Sequence, residues 1–152
     1  MIAATTPPPR SATPLAPGTY RALAAFRYEI RRFLRSSEDA ARSAGLEPQQ
    51  HQLLLALKGA PRGTVPTIAW LAERLQLQHH SLVGLVDRLA ERQLVHRRRD
   101  AADHRRALVT LTRRGEAILH RLSVVHQEEL RSRAAALVSA LATIIRPAPR
   151  RR

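Results

Sequence analysis

The stretch LAERLQLQHHSLVGLVDRLAERQLVHRRRDAADHRRALVTLTRRGEAIL, residues 71–119, changes its hydrophobic period twice. A helical pattern over 68–75 breaks at residues 76–78 and resumes over 79–92, where Leu82, Leu85, Val86 and Leu89 recur at spacings of 3, 1 and 3. Residues 94–99 and 106–111 are then β-capable runs flanking the charged loop 100–105, the pattern of a hairpin. Thr112 stands where a side chain can cap a further helix. Two short helices joined by a tight turn and followed by a basic hairpin predict a winged helix-turn-helix. The expected fold class is mainly α with a small β-hairpin wing, plus an α-helical dimerisation region.

Working outward, residues 20–44 predict a helix carrying Leu23, Phe26, Ile30, Phe33 and Leu34 on one side. Gly45 suits its C-terminal stop, and Pro48 suits the first turn of a second helix over 48–58. Leu53, Leu54, Leu55 and Leu57 make that segment apolar almost all round, which predicts deep burial. Residues 64–66 are a candidate very short strand, and Thr67 a cap for the helix over 68–75. Beyond the hairpin, Ile118, Leu119, Leu122 and Val125 line one long helix. Leu137, Val138, Leu141, Ile144 and Ile145 line a separate final helix over 133–145. The expected organisation is a disordered Pro-rich extension (1–19) and a helical dimerisation region (20–47 and 112–146). The DNA-binding winged helix-turn-helix occupies 48–111, and a basic tail 147–152.

Composition narrows the function. The 152 residues suit one domain, and 44% hydrophobic residues supply a sizeable core. With 26 cations against 12 acids the net charge is +14, which points to a polyanionic partner. All but one of those cations are Arg, a bias that a GC-rich genome also produces. Placement is more informative: residues 95–114 hold seven Arg and two Asp, a net +5 on 20 residues. Such a cluster repels itself unless a polyanion lies nearby. The absence of Cys excludes disulfides, thiolate metal sites and thiol-based sensing. No apolar run is long enough for a membrane span. No nucleophile–base pair, phosphate-binding glycine loop or metal motif stands out, so the chain is expected not to be an enzyme and to need no cofactor or metal.

On the helix over 79–92, the face opposite the apolar stripe centres on His80, Gly84 and Asp87, flanked by Ser81, Val83 and Arg88. Small residues there permit close approach to base edges, and the polar ones can hydrogen-bond bases and phosphates. The quoted stretch resembles the core of the MarR family of bacterial regulators. DHRRALVTLTRRG (103–115) carries most of the resemblance, supported by LVDRL (85–89). The resemblance extends more weakly over about 20–145. It implies that Arg105 is a wing-tip arginine entering the minor groove and that Asp103 braces it. A guanidinium suits a narrow, negative minor groove. It further implies a DNA face at His79, His80, Ser81, Val83, Gly84, Asp87 and Arg88, with phosphate contacts from Thr67 and from Arg97, Arg99 or Arg106. Gln76 and Gln93 stand where the family commonly has Gly, so the backbone either bends differently there or accepts strain. Gly84 replaces a common base-reading residue, and Gln78 is a poorer helix cap than Ser or Thr.

The outer helices carry more apolar surface than one small winged domain can cover. The resemblance implies a homodimer, with recognition helices about one DNA turn apart over a pseudo-palindrome. It also implies a repressor in the bacterial cytoplasm, released by a small-molecule effector. Tyr28, Arg31, His51 and His120 are polar candidates for the effector. His120 and His126, six residues apart, do not share a helical face and predict no metal site. The competing reading is a non-specific basic nucleic-acid-binding or architectural protein. Scarce aromatics count against single-strand stacking.

Overall fold

The computed structural model describes residues 15–146. Helix α1 runs Pro17–Ser43, α2 Pro48–Lys58, α3 Ile68–Leu75 and α4 His79–Glu91. Strands β1 (Val95–Arg99) and β2 (Ala107–Leu111) follow, then α5 (Arg113–Ile145). The mainly helical fold with a two-stranded wing agrees with the sequence expectation. By compactness the chain divides in two: residues up to Arg31 with those from Arg133 onward, and Arg32–Ser132.

Local chemistry accounts for the element ends. Gly45, at φ 75°, closes α1 while the Leu46 N–H returns to the Ala41 carbonyl at 2.9 Å. Pro48 opens α2, and Gln50 Oε1 accepts the Glu47 N–H at 3.0 Å. Thr67 Oγ1 accepts the Trp70 N–H at 3.2 Å, capping α3 as expected. The Thr112 hydroxyl caps α5 through the Gly115 N–H at 3.0 Å and donates to the Gln93 carbonyl at 2.7 Å.

Several expectations are corrected. Helix α1 begins at Pro17, three residues earlier than read, because proline suits a first helical turn. The rest of the expected extension, residues 1–14, and the tail 147–152 lie outside the described residues. The separate final helix is instead the end of α5, which runs unbroken to Ile145. No Gly or Pro interrupts it after Gly115, and the Ser132 hydroxyl donates to its own helix's Glu129 carbonyl rather than capping a new start. Residues 64–66 form no strand. Pairing shrinks to an isolated bridge between Thr67 and Leu108, with the Val109 N–H bonded to the Pro66 carbonyl at 3.0 Å. Leu55 is exposed although Leu53, Leu54 and Leu57 are buried, since one side of α2 faces away from the core. Val125 likewise lies on the outer side of α5, whereas Leu119 and Leu122 are buried.

Within Arg32–Ser132 the core is almost wholly aliphatic. Leu46, Leu53, Leu54, Leu71, Leu82, Leu89, Leu94, Val86 and Val109 are all effectively sealed from solvent. These side chains seat α3 and α4 on α2 and fix the base of the wing. Burying one such Leu is worth about 1.5–3 kcal/mol, so packing on its inner face does most to hold α4 in place. In the other unit, α1 and α5 are joined by Arg133 and Glu29, 3.0 Å apart and largely covered.

Candidate nucleic-acid interface

The turn between α3 and α4 depends on Gln76, which caps α3 at φ 54° and ψ 41°. Left-handed backbone costs a non-glycine residue roughly 1–2 kcal/mol. The Leu77 N–H to the Ala72 carbonyl at 2.9 Å secures the turn, and Gln76 Nε2 donates to the Glu73 carbonyl at 2.8 Å. Gln93, at φ 57°, makes the corresponding turn between α4 and β1. Of the two alternatives open at these positions, the backbone keeps the bend and accepts the strain. Gln78 offers α4 no side-chain cap, as its chemistry suggests, so the first N–H groups of this helix have no side-chain acceptor from it.

On α4, Leu82, Leu85, Val86 and Leu89 face the core. His79, His80, Ser81 and Arg88 are exposed, and Val83, Gly84 and Asp87 are half-buried. Val83 packs partly on the core. A Cβ built on Gly84 meets only the Arg88 guanidinium at 3.4 Å, so this part of the helix surface stays low. Six of the seven α4 residues read as the DNA face thus lie on the side away from the core, with Val83 at its edge.

The hairpin pairs Val95 with Leu111 and Arg99 with Ala107, antiparallel and without a bulge. Arg97, Arg98 and Arg99 are exposed on β1, with His104, Arg105 and Arg106 exposed at the tip. All six line an open cleft of about 500 Å³. Arg98 and His104 were not singled out from the sequence; the charge count over 95–114 and the place of His104 beside Arg105 were the available signals. Thr67 is half-buried, its hydroxyl oxygen engaged as the α3 cap.

Two polar contacts differ from the reading of the motif. Asp103 does not grip the Arg105 guanidinium: Asp103 Oδ1 accepts the Arg105 backbone N–H at 3.0 Å. A short carboxylate side chain reaches a backbone donor two residues ahead more readily than a long arginine head, giving an Asx turn. The Arg106 N–H bonds to the Asp103 carbonyl at 2.9 Å, and Asp100 Oδ1 accepts the Ala102 N–H at 2.9 Å. These bonds shape the tip and leave the Arg105 side chain to extend outward. The second contact concerns Asp87, whose carboxylate is hydrogen-bonded by Arg97 across the gap from α4 to β1. Two residues read as DNA-facing therefore engage each other.

His51 and His120, two of the effector candidates, part company. His120 is exposed on α5, whereas His51 is 2% exposed on α2 with its Nε2 unpartnered. His51 lies against His126, ring centroids 4.7 Å apart, and burial lowers its pKa to about 4, helped by His126. Tyr28 and Arg31 are exposed on α1.

A short helix pair presenting a polar outer face beside an arginine-rich hairpin defines a winged helix-turn-helix. Residues 44–106 match the model of the MarR family. The chain is similar to the transcriptional repressor CouR bound to a 23-mer DNA duplex, at 27% identity and a TM-score of 0.63, with 88% of this chain and 100% of that one covered. AbsC, a MarR family transcriptional regulator from Streptomyces coelicolor, is 18% identical with a TM-score of 0.69, over 90% of this chain and 95% of its own. The S. aureus MepR–DNA complex is 20% identical with a TM-score of 0.63, over 74% and 82%. No curated protein sequence matches. The match to the MarR family thus spans residues 44–106, and the fold is shared with solved MarR family transcriptional regulators.

Proposed function

We propose that the protein is a homodimeric repressor that binds a pseudo-palindromic operator and is released by a small-molecule ligand. Helix α4 enters the major groove with His79, His80, Ser81, Val83, Gly84 and Arg88 towards the bases. Arg105 reaches the minor groove from the wing tip, while Thr67, Arg99 and Arg106 contact phosphates. Asp87 and Arg97 set the angle between helix and wing. The observation that carries this reading is the clustering of exposed Arg and His on the wing beside the outer face of α4. Charge neutralisation at such a surface makes affinity fall steeply with salt, about one unit of logarithmic slope per phosphate contact.

The apolar residues Val138, Leu141 and Ile145 recur at spacings of 3 and 4 on α5 and are 65%, 42% and 70% exposed. A second copy is the occupant that a two-fold operator requires. Among the described residues no helix is long and apolar enough to cross a membrane. We place the protein in the cytoplasm on the same reading.

Gel-shift competition at physiological salt tests the proposal. Fragments from the protein's own genome should outcompete random DNA by at least about a thousandfold, the usual gap between specific and non-specific binding. Equal competition would leave a non-specific basic binder.

A further inference from the structure

Buried His51 and half-buried His126 form an imidazole pair that DNA contact does not use. Both Nε2 atoms are sealed from solvent and without a hydrogen-bond partner. The Ser37 backbone of α1 acts on the His126 ring and favours its charged form, against the desolvation that disfavours it. Phe33 meets His126 edge-on at 6.2 Å. The pair thus sits where α1, α2 and α5 meet inside Arg32–Ser132. An unsatisfied buried polar atom costs about 1–3 kcal/mol, so two together at one helix junction call for an explanation.

The neighbouring residue supplies a mechanical link. Gln50, buried beside His51 in sequence, accepts a 3.0 Å hydrogen bond from Arg92, the residue that ends α4. Leu53, Leu54 and Leu57 on the same helix belong to the core that seats α3 and α4. A shift of α2 at His51 therefore reaches the recognition helix directly.

We propose that the His51–His126 contact is an acid-released latch, holding α2 in the DNA-binding arrangement while both rings are neutral and freeing it when either is protonated. This inference rests on the DNA-binding reading above. The charged and titratable groups around the pair are few. On α1, Glu38 lines the roughly 260 Å³ cavity beside His51, but its carboxylate is engaged by Arg42. On α5 the facing titratable group is His126 itself, and on α2 the cavity is lined by uncharged Pro48, Gln49 and Gln52.

Desolvation, and for His51 the proximity of His126, lower both pKa values in the closed arrangement. An opened His51 recovers its ordinary value near 6.5, so protons favour opening as pH falls below that value, down to about 4. Between pH 7.5 and 5.0 this linkage favours opening by roughly twenty- to thirtyfold.

The test measures operator affinity by fluorescence anisotropy at pH 7.5 and 5.0, constant ionic strength, in the full-length protein. Wild type should lose more affinity on acidification than the double variant His51→Met/His126→Phe, with the roughly twenty- to thirtyfold linkage as the ceiling on that difference. An equal pH dependence in the two proteins overturns the latch. Amide hydrogen exchange on wild type, corrected for intrinsic rates, is the second readout. Protection of α2 should fall at pH 5.0 before that of the α4 core, and unchanged protection also overturns it. Failure to bind any fragment specifically at pH 7.5 counts against the operator reading, while the exchange data still decide the latch.

Discussion

The Asp87 carboxylate on α4 accepts a hydrogen bond from the Arg97 guanidinium on β1, tying the recognition helix to the wing. Both side chains keep over a third of their surface exposed, so solvent screens the pair and it adds at most about 1 kcal/mol to stability. Its effect on charge is larger. Asp87 occupies an arginine that would otherwise be free to meet a phosphate.

Asp87→Asn should therefore leave the unfolding midpoint nearly unchanged and release Arg97 towards DNA. Affinity for random duplex should rise severalfold, and the logarithmic salt slope should steepen by about one unit. Titrations over a range of salt concentrations check this; an unchanged slope would show that Arg97 does not reach the backbone.

Arg105→Ala should weaken specific binding by about 1–3 kcal/mol, the scale of a groove-reading arginine. Asp103 separates two roles for its carboxylate. Asp103→Asn keeps an oxygen for the Arg105 N–H and should bind nearly as wild type, whereas Asp103→Ala loosens the tip and should weaken binding. Had Asp103 braced the guanidinium by charge, both variants would lose affinity alike.

Gln76 and Gln93 hold left-handed backbone that glycine adopts without steric cost. Gln93→Gly should stabilise the fold by about 0.5–1 kcal/mol. Gln76→Gly should gain less, because it also discards the side-chain bond to the Glu73 carbonyl. Chemical denaturation of the two single variants gives the comparison, and a larger gain at Gln76 would contradict the assignment.

Gly115→Ala tests a different use of glycine. A Cβ there collides with the Leu94 backbone carbonyl where α5 starts against the wing. Backbone on both sides leaves little room to yield, so the loss should reach the upper part of the 1–3 kcal/mol range for overpacking. A midpoint unchanged within error would mean that the α5 start can move away from Leu94.

Val138→Asp should convert the proposed dimer to monomer and weaken operator binding by more than tenfold, with no loss of helix content. Light scattering and circular dichroism on the same sample separate these effects. A dimer that survives would place the interface elsewhere.

Much of this was legible along the chain. The spacing of Leu82, Leu85, Val86 and Leu89 identified the inner face of α4, and the Arg density over 95–114 identified the wing, because periodicity and charge are local quantities. Even the strained turns were readable, since Gln stands where the motif commonly carries Gly. Helix continuity was harder: the polar run Arg131–Ser132–Arg133 looks like a break, yet nothing in it forbids helix.

By itself, then, the order of residues determined the helix–turn–helix–hairpin succession, the inward stripe and the location of the positive charge. Tertiary structure alone decided which long-range partners meet. Asp87 finds Arg97, Gln50 finds Arg92, and His51 on α2 finds His126 on α5, 75 residues away in sequence. The physical reason is that polar side chains carry no periodic signature of their partners. Packing of the aliphatic core brings their helices together, and only then does burial set the charge state of the histidines.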